Sequence, residues 1–94
     1  MARHVYGLVD DRGSIIQGSG FRVQRFDNGF YLVEFSTPFN SVPVVVATTF
    51  GHPWSTFNIS TAIADDVSSH HFFCLTSTPE RGVDCGFSFI VIGD

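Results

Sequence analysis

FRVQRFDNGFYLVEF, residues 21–35, reads as a β-hairpin, and the choice of its turn decides which side chains face the core. Side chains alternate along a strand, so slipping the pairing by one residue sends every apolar group to the other face. A two-residue Asn28-Gly29 loop would set Val23 against Glu34 and Arg22 against Phe35. A three-residue loop, with Gly29 left-handed at a bulge, instead sets Phe21 against Phe35, Val23 against Val33 and Arg22 against Glu34. Only the second pairs like with like, and it is the register expected. It points Phe21, Val23, Val33 and Phe35 inward and leaves Phe26, Phe30 and Leu32 on the opposite face.

The chain on either side is punctuated in the same way. Two weaker strands, about residues 4–9 and 14–17, flank a DDRG turn. PVVVATTF (43–50) reads as a buried strand introduced by Pro43, and TFNISTAIAD (56–65) alternates Phe57, Ile59, Thr61 and Ile63 against Asn58, Ser60, Ala62 and Ala64. HFFCLTST (71–78) and VDCGFSFIVI (83–92) flank a PERG turn and read as a second hairpin. No window repeats its apolar residues at helical spacing over three turns. Six to eight short strands at this spacing predict an all-β chain, a single antiparallel β-sandwich spanning residues 1–94.

The closing strand is apolar on both faces, with Phe87, Phe89 and Val91 pointing one way and Ile90 and Ile92 the other. Together with Phe26, Phe30 and Leu32, these two isoleucines leave five large apolar side chains outside the core. That is more than a monomer ordinarily shows in one patch, so the cover expected is a second copy of the chain, or a leading strand folded over part of the surface. Composition agrees: 44% of residues are hydrophobic and 15% charged, against roughly 25% charged in an average soluble domain. The net charge is −4 and all five basic residues are Arg, which offers no basic field for a nucleic acid. The opening MARHVYGLVDD lacks the features of a signal peptide, and no apolar run is long enough to span a bilayer, so no membrane insertion is expected.

A three-residue Glu80-Arg81-Gly82 loop, with Gly82 left-handed, would pair Phe73 with Phe89 and Leu75 with Phe87. Cys74 and Cys85 would then project from opposite faces of one sheet, which predicts two free thiols.

Candidate chemistry is sparse. Trp54 in the GHPWS loop offers an apolar platform for a sugar ring, with His52 and Asn58 as nearby polar partners. His52, His70 and His71 match no zinc spacing, and Asp65-Asp66 lacks the rest of a calcium loop, so no metal is expected. No phosphate or dinucleotide fingerprint and no nucleophile elbow occurs, and a Cys74/His71 pair lacks an orienting partner. The chain is read as a binding protein with no cofactor, not as an enzyme.

The segment FSTPFNSVPVVV (35–46), the strands NISTAIADDVSS and FCLTST and the ending CGFSFIVIG together resemble the H-type lectin domain over about residues 30–93. The most specific part is F-x-x-P-F-x-x-x-P-V-V-V. GSGFRVQRFDNGFYLVEF is similar to small trimeric β-sandwich modules at the ends of bacterial surface proteins and phage tail fibres. The resemblance implies a sandwich that trimerises about a threefold axis, binds N-acetylgalactosamine or related glycans at subunit boundaries and sometimes stacks two trimers into a hexamer. Where that family places a sugar-contacting Arg this sequence has Asn58, and the family's Trp-His pair falls near Ser77 and Thr78. The expected function is therefore a multivalent carbohydrate-binding homotrimer, secreted, cell-surface or virion-associated if part of a larger protein. Its alternative is a structural trimerisation or tip domain of a fibre or surface protein.

Overall fold

The computed structural model describes residues 2–52 and 56–94. Strands form where β-branched and aromatic residues alternate with polar ones: β1 (Arg3–Val9), β2 (Ile15–Gly18), β3 (Phe21–Asp27), β4 (Phe30–Phe35), β5 (Val44–Phe50), β6 (Ser60–Ile63), β7 (His71–Ser77) and β8 (Gly86–Gly93). They make two four-stranded antiparallel sheets, ordered β2-β1-β8-β5 (sheet A) and β3-β4-β7-β6 (sheet B).

The inner faces share one core. Val5, Val9, Phe87, Phe89 and Val91 from sheet A meet Phe21, Tyr31, Val33, Phe35, Phe72 and Cys74 from sheet B, all buried. Rings lock the sheets together: Phe21 packs edge-on against Phe89 with centroids 4.9 Å apart, Phe72 meets the same ring at 5.2 Å, and Tyr31 lies 5.2 Å from Phe87. Each such ring, fully buried, contributes about 1.5–3 kcal/mol. The conspicuous F-x-x-P-F segment is a plug. Phe35 and Phe39 pack edge-on at 4.9 Å, and the Arg3 guanidinium lies 4.2 Å above the Phe39 ring while donating to the carbonyls of Thr37 and Pro38. At one side of the sandwich the Thr49 and Thr61 hydroxyls, 2.5 Å apart, join β5 to β6.

The β3–β4 register is the expected one, with Phe21 opposite Phe35, Arg22 opposite Glu34 and Val23 opposite Val33. The three-residue loop expected there is corrected: Asp27 pairs with Phe30, so the turn is Asn28-Gly29 alone, with Gly29 left-handed at φ +67°, and the extra residue is taken up at Phe26, between Arg25 and Asp27. The β1–β2 turn also forms as read: Asp10 Oδ1 accepts from the N–H groups of Arg12 and Ser14, and Gly13 supplies φ +89°.

Six further expectations are corrected. β7 and β8 do not pair with each other, because β7 already has β4 on one side and β6 on the other, while β8 lies between β1 and β5. The second hairpin begins, with a bridge between Ser77 and Gly82, and then the chain crosses to the other sheet. Gly82 is not left-handed; it is needed because a Cβ there would collide with the Asn28 carbonyl. On β7 the inward residues are Phe72, Cys74 and Thr76, so Phe73 and Leu75 face outward, and Cys74 lies in the same core as Phe87. Both thiols are nevertheless free.

The PVVVATTF strand is not buried through its length. β5 is an edge strand whose Val45, Ala47 and Thr49 turn inward while Val44, Val46 and Phe50 stay exposed. The strand read over 56–65 is only Ser60–Ile63, and Phe57 lies exposed in the turn before it. Finally, the five apolar residues outside the core do not form one patch. Ile90 and Ile92 lie on the outer face of sheet A, whereas Phe26, Phe30 and Leu32 lie on the outer face of sheet B, on the far side of the sandwich.

Candidate functional site

At one end of the sandwich three separate pieces of chain, the β1–β2 turn, the end of β5 with the residues after it, and the crossing at 83–86, enclose a cleft of about 440 Å3. Its apolar walls come from Ile16, Phe50, Ile59 and Val83, and its polar groups from Asp10, Asp11, His52, Thr56 and Asp84. The sequence places them there through strand ends. Gly13 reverses the chain so that Asp10 and Asp11 sit at the rim, and Phe50 closes β5 opposite Gly86.

A polar network centred on the buried Tyr31 hydroxyl backs one wall. The Tyr31 hydroxyl donates to the Asp11 carbonyl at 2.7 Å and accepts from the Cys85 N–H at 3.2 Å. The Asp84 carboxylate accepts from the Gly29 N–H and from Arg25 Nε, both at 2.8 Å. Burial opposes the charge on Asp84, but the Arg25 and Gly29 donors outweigh it and hold the carboxyl below its ordinary range. Burial, with the nearby Asp84 charge, pushes the Tyr31 phenol up to about 12, and burial also raises the Cys85 thiol. Asp84 is therefore occupied within the fold, and one oxygen of Asp10 is spent on its own turn. The Asp11 side chain stands exposed at the rim.

Of the residues singled out as sugar partners, His52 lines this cleft, and its carbonyl accepts from the Thr56 hydroxyl at 3.0 Å. Asn58 is exposed but is not part of the lining. Trp54 lies outside the described residues. Asp10, Asp11 and Phe50 were not singled out beforehand. Phe50 ends an alternating strand on its exposed face, and that alternation is the signal which could have found it.

The histidines do not gather. His71 stands on the outer face of sheet B, edge-on to Phe73 at 5.4 Å, with Nδ1 3.3 Å from the Ser68 hydroxyl and Nε2 3.6 Å from the Asp66 carboxylate. Among the described residues, no group of three or more His, Cys, Asp or Glu converges to hold a metal ion.

The interface candidates divide by sheet. On sheet B, Phe30 stacks on Phe73 with centroids 5.1 Å apart and rings 10° from parallel, and Phe26 leans on both. On sheet A, Ile90 and Ile92 are joined by Tyr6, Val44 and Val46, all 46 to 69% exposed. No family model, curated protein or solved structure matches this chain.

Proposed function

We propose that the protein is a carbohydrate-binding, lectin-like module that works as a homotrimer and takes a saccharide into the cleft at the end of the sandwich. The observation that supports this best is the composition of the cleft, where the Phe50 ring accompanies Asp10, Asp11 and His52. A sugar presents an apolar face of C–H groups and a periphery of hydroxyls, so an aromatic wall with a few polar groups suits it. A single shallow site of this kind binds weakly, and three on one particle raise avidity through effective concentration. The chemistry is binding without turnover: Asp84 is committed to Arg25 and Gly29, and the Cys85 thiol is raised rather than activated.

A second reading, a structural trimerisation or tip domain without sugar binding, is favoured by the apolar outer face of sheet A. A glycan array separates the two. The lectin reading expects binding to a subset of glycans that falls at least tenfold in Asp11→Ala, His52→Ala or Trp54→Ala while the oligomer mass is unchanged. Silence across a broad array, with the oligomer intact, favours the structural module.

A further inference from the structure

We propose that copies of this chain meet through the outer face of sheet A, and not through the aromatic face of sheet B. The assignment deepens the self-association in the reading above and stands whether or not sugar is bound.

Strand register builds the surface. Val44, Ile92 and His4 form one row across β5, β8 and β1, and Val46, Ile90 and Tyr6 form the next. Five of these six side chains are apolar or aromatic and 46 to 69% exposed. Lying in adjacent rows, they form one contiguous apolar patch of the size, on the order of several hundred Å2, that marks an interaction surface, a large part of the ~800 Å2 each partner gives to a standard interface. The adjoining row, Thr48, Ser88, Leu8 and Gln17, is uncharged and completes the area. A groove of about 450 Å3 between Tyr6 and Val46, over Ser88 and Ile90, gives a facing side chain somewhere to enter.

Charge selects the occupant. Each chain carries −4, so two copies repel wherever their acidic surfaces meet. These rows hold no Asp, Glu, Lys or Arg, and here two copies approach without that penalty; charge-depleted, aromatic-containing cores are also what protein interfaces show. The edge strand β5 has no charged residue or internal proline to block pairing or packing. Sheet B differs in packing and in charge. Its rings cover one another, Phe30 and Leu32 are half-buried, and the Arg22–Glu34 pair and His71 with Asp66 stand at one end of the same face. Phe50 continues the exposed side of β5 into the cleft, which brings that cleft beside the contact between subunits.

Light scattering on the full chain tests this. The wild type is expected to be oligomeric at micromolar concentration, Val46→Asp and Ile90→Asp to fall to the 10.4 kDa monomer, and Phe26→Asp and Leu32→Asp to keep the wild-type mass. All four sites have an outward side chain, and circular dichroism checks the fold of each variant. Should the Asp variants unfold, Val46→Ser and Ile90→Ser remove apolar area without adding charge, and must weaken association at least tenfold. A monomeric wild type, an unchanged association constant in the Ser variants, or dissociation by the sheet B changes alone would overturn the proposal. A dimer that depends on Val46 and Ile90 would uphold the face while sinking the trimer.

Discussion

The Tyr31 hydroxyl accepts a hydrogen bond from the Cys85 N–H at 3.2 Å, tying the centre of sheet B to the chain at the point where it enters sheet A. The same oxygen donates to the Asp11 carbonyl at 2.7 Å, so one fully buried phenol fixes two walls of the cleft.

Tyr31→Phe keeps the ring packed on Phe87 but leaves a backbone N–H and a carbonyl without this partner. The expected loss is about 1–3 kcal/mol, read as a lower urea midpoint at unchanged slope. A change under about 0.5 kcal/mol would mean that the network is not a structural tie.

The phenol also sets an alkaline limit. Burial raises it from 10.0 to about 12, so the folded state favours the protonated form. Its contribution is complete below pH 10.0 and is lost as pH rises toward about 12, where the unfolded chain ionises first. Thermal scans should show the wild-type melting temperature falling through that window, and the Tyr31→Phe variant falling less steeply over it.

Asp84 sets the limit on the acid side with the opposite sign. Its carboxyl is held below the ordinary 3.8 despite burial, so its contribution is present above that value and fades as pH falls through the depressed one. Asp84→Asn should be less stable than the wild type at neutral pH and should lose less on acidification. An acid limb identical in the two proteins would count against the Arg25–Asp84–Gly29 arrangement.

Two glycines separate collision from backbone strain. A Cβ on Gly29 would meet the Thr76 carbonyl and Val83 N at a φ of +67°, whereas Gly20, at φ +88°, opens onto empty space. Gly20→Ala should cost about 1–2 kcal/mol for its backbone alone, and Gly29→Ala clearly more, by denaturant titration. Equal costs would show that the crossing beside Gly29 yields easily.

The thiols provide a chemical check on the core. Burial pushes Cys74 up to about 12, and burial and then the Asp11 charge raise Cys85. In the folded protein a thiol reagent at mildly alkaline pH should find both nearly inert, and after unfolding without reductant it should count two thiols. A count of zero would reveal a disulfide.

What could be read from sequence followed the range of the interactions. The β3–β4 register was legible because Phe21/Phe35 and Val23/Val33 lie close in the chain and like pairs with like in one register only; how the chain reaches it, by a two-residue turn and a bulge at Phe26, was not. β7 was misread because Phe72 and Phe73, Cys74 and Leu75 are all apolar, so alternation alone does not say which pair faces the core; its pairing with β4, some forty residues earlier, and with β6 decides it. Val44, Val45 and Val46 present the same ambiguity, resolved only by the place of β5 at a sheet edge. The cleft was illegible as a unit, since residues 10–11, 50–52 and 83–86 come together only when both sheets exist.

The pairing of β1 with β8 sets Arg3 opposite Gly93 and makes the middle of sheet A out of opposite ends of the described chain. Such long-range pairing raises contact order and slows folding, whereas the β3–β4 hairpin closes locally within microseconds to milliseconds. Sheet B therefore assembles first, with Phe72 and the inward side of β4 waiting for Phe87 and Phe89 to dock. Until they do, the chain presents an open aromatic surface, so slow docking of β8 would turn a folding intermediate into a substrate for chaperones or an aggregation seed.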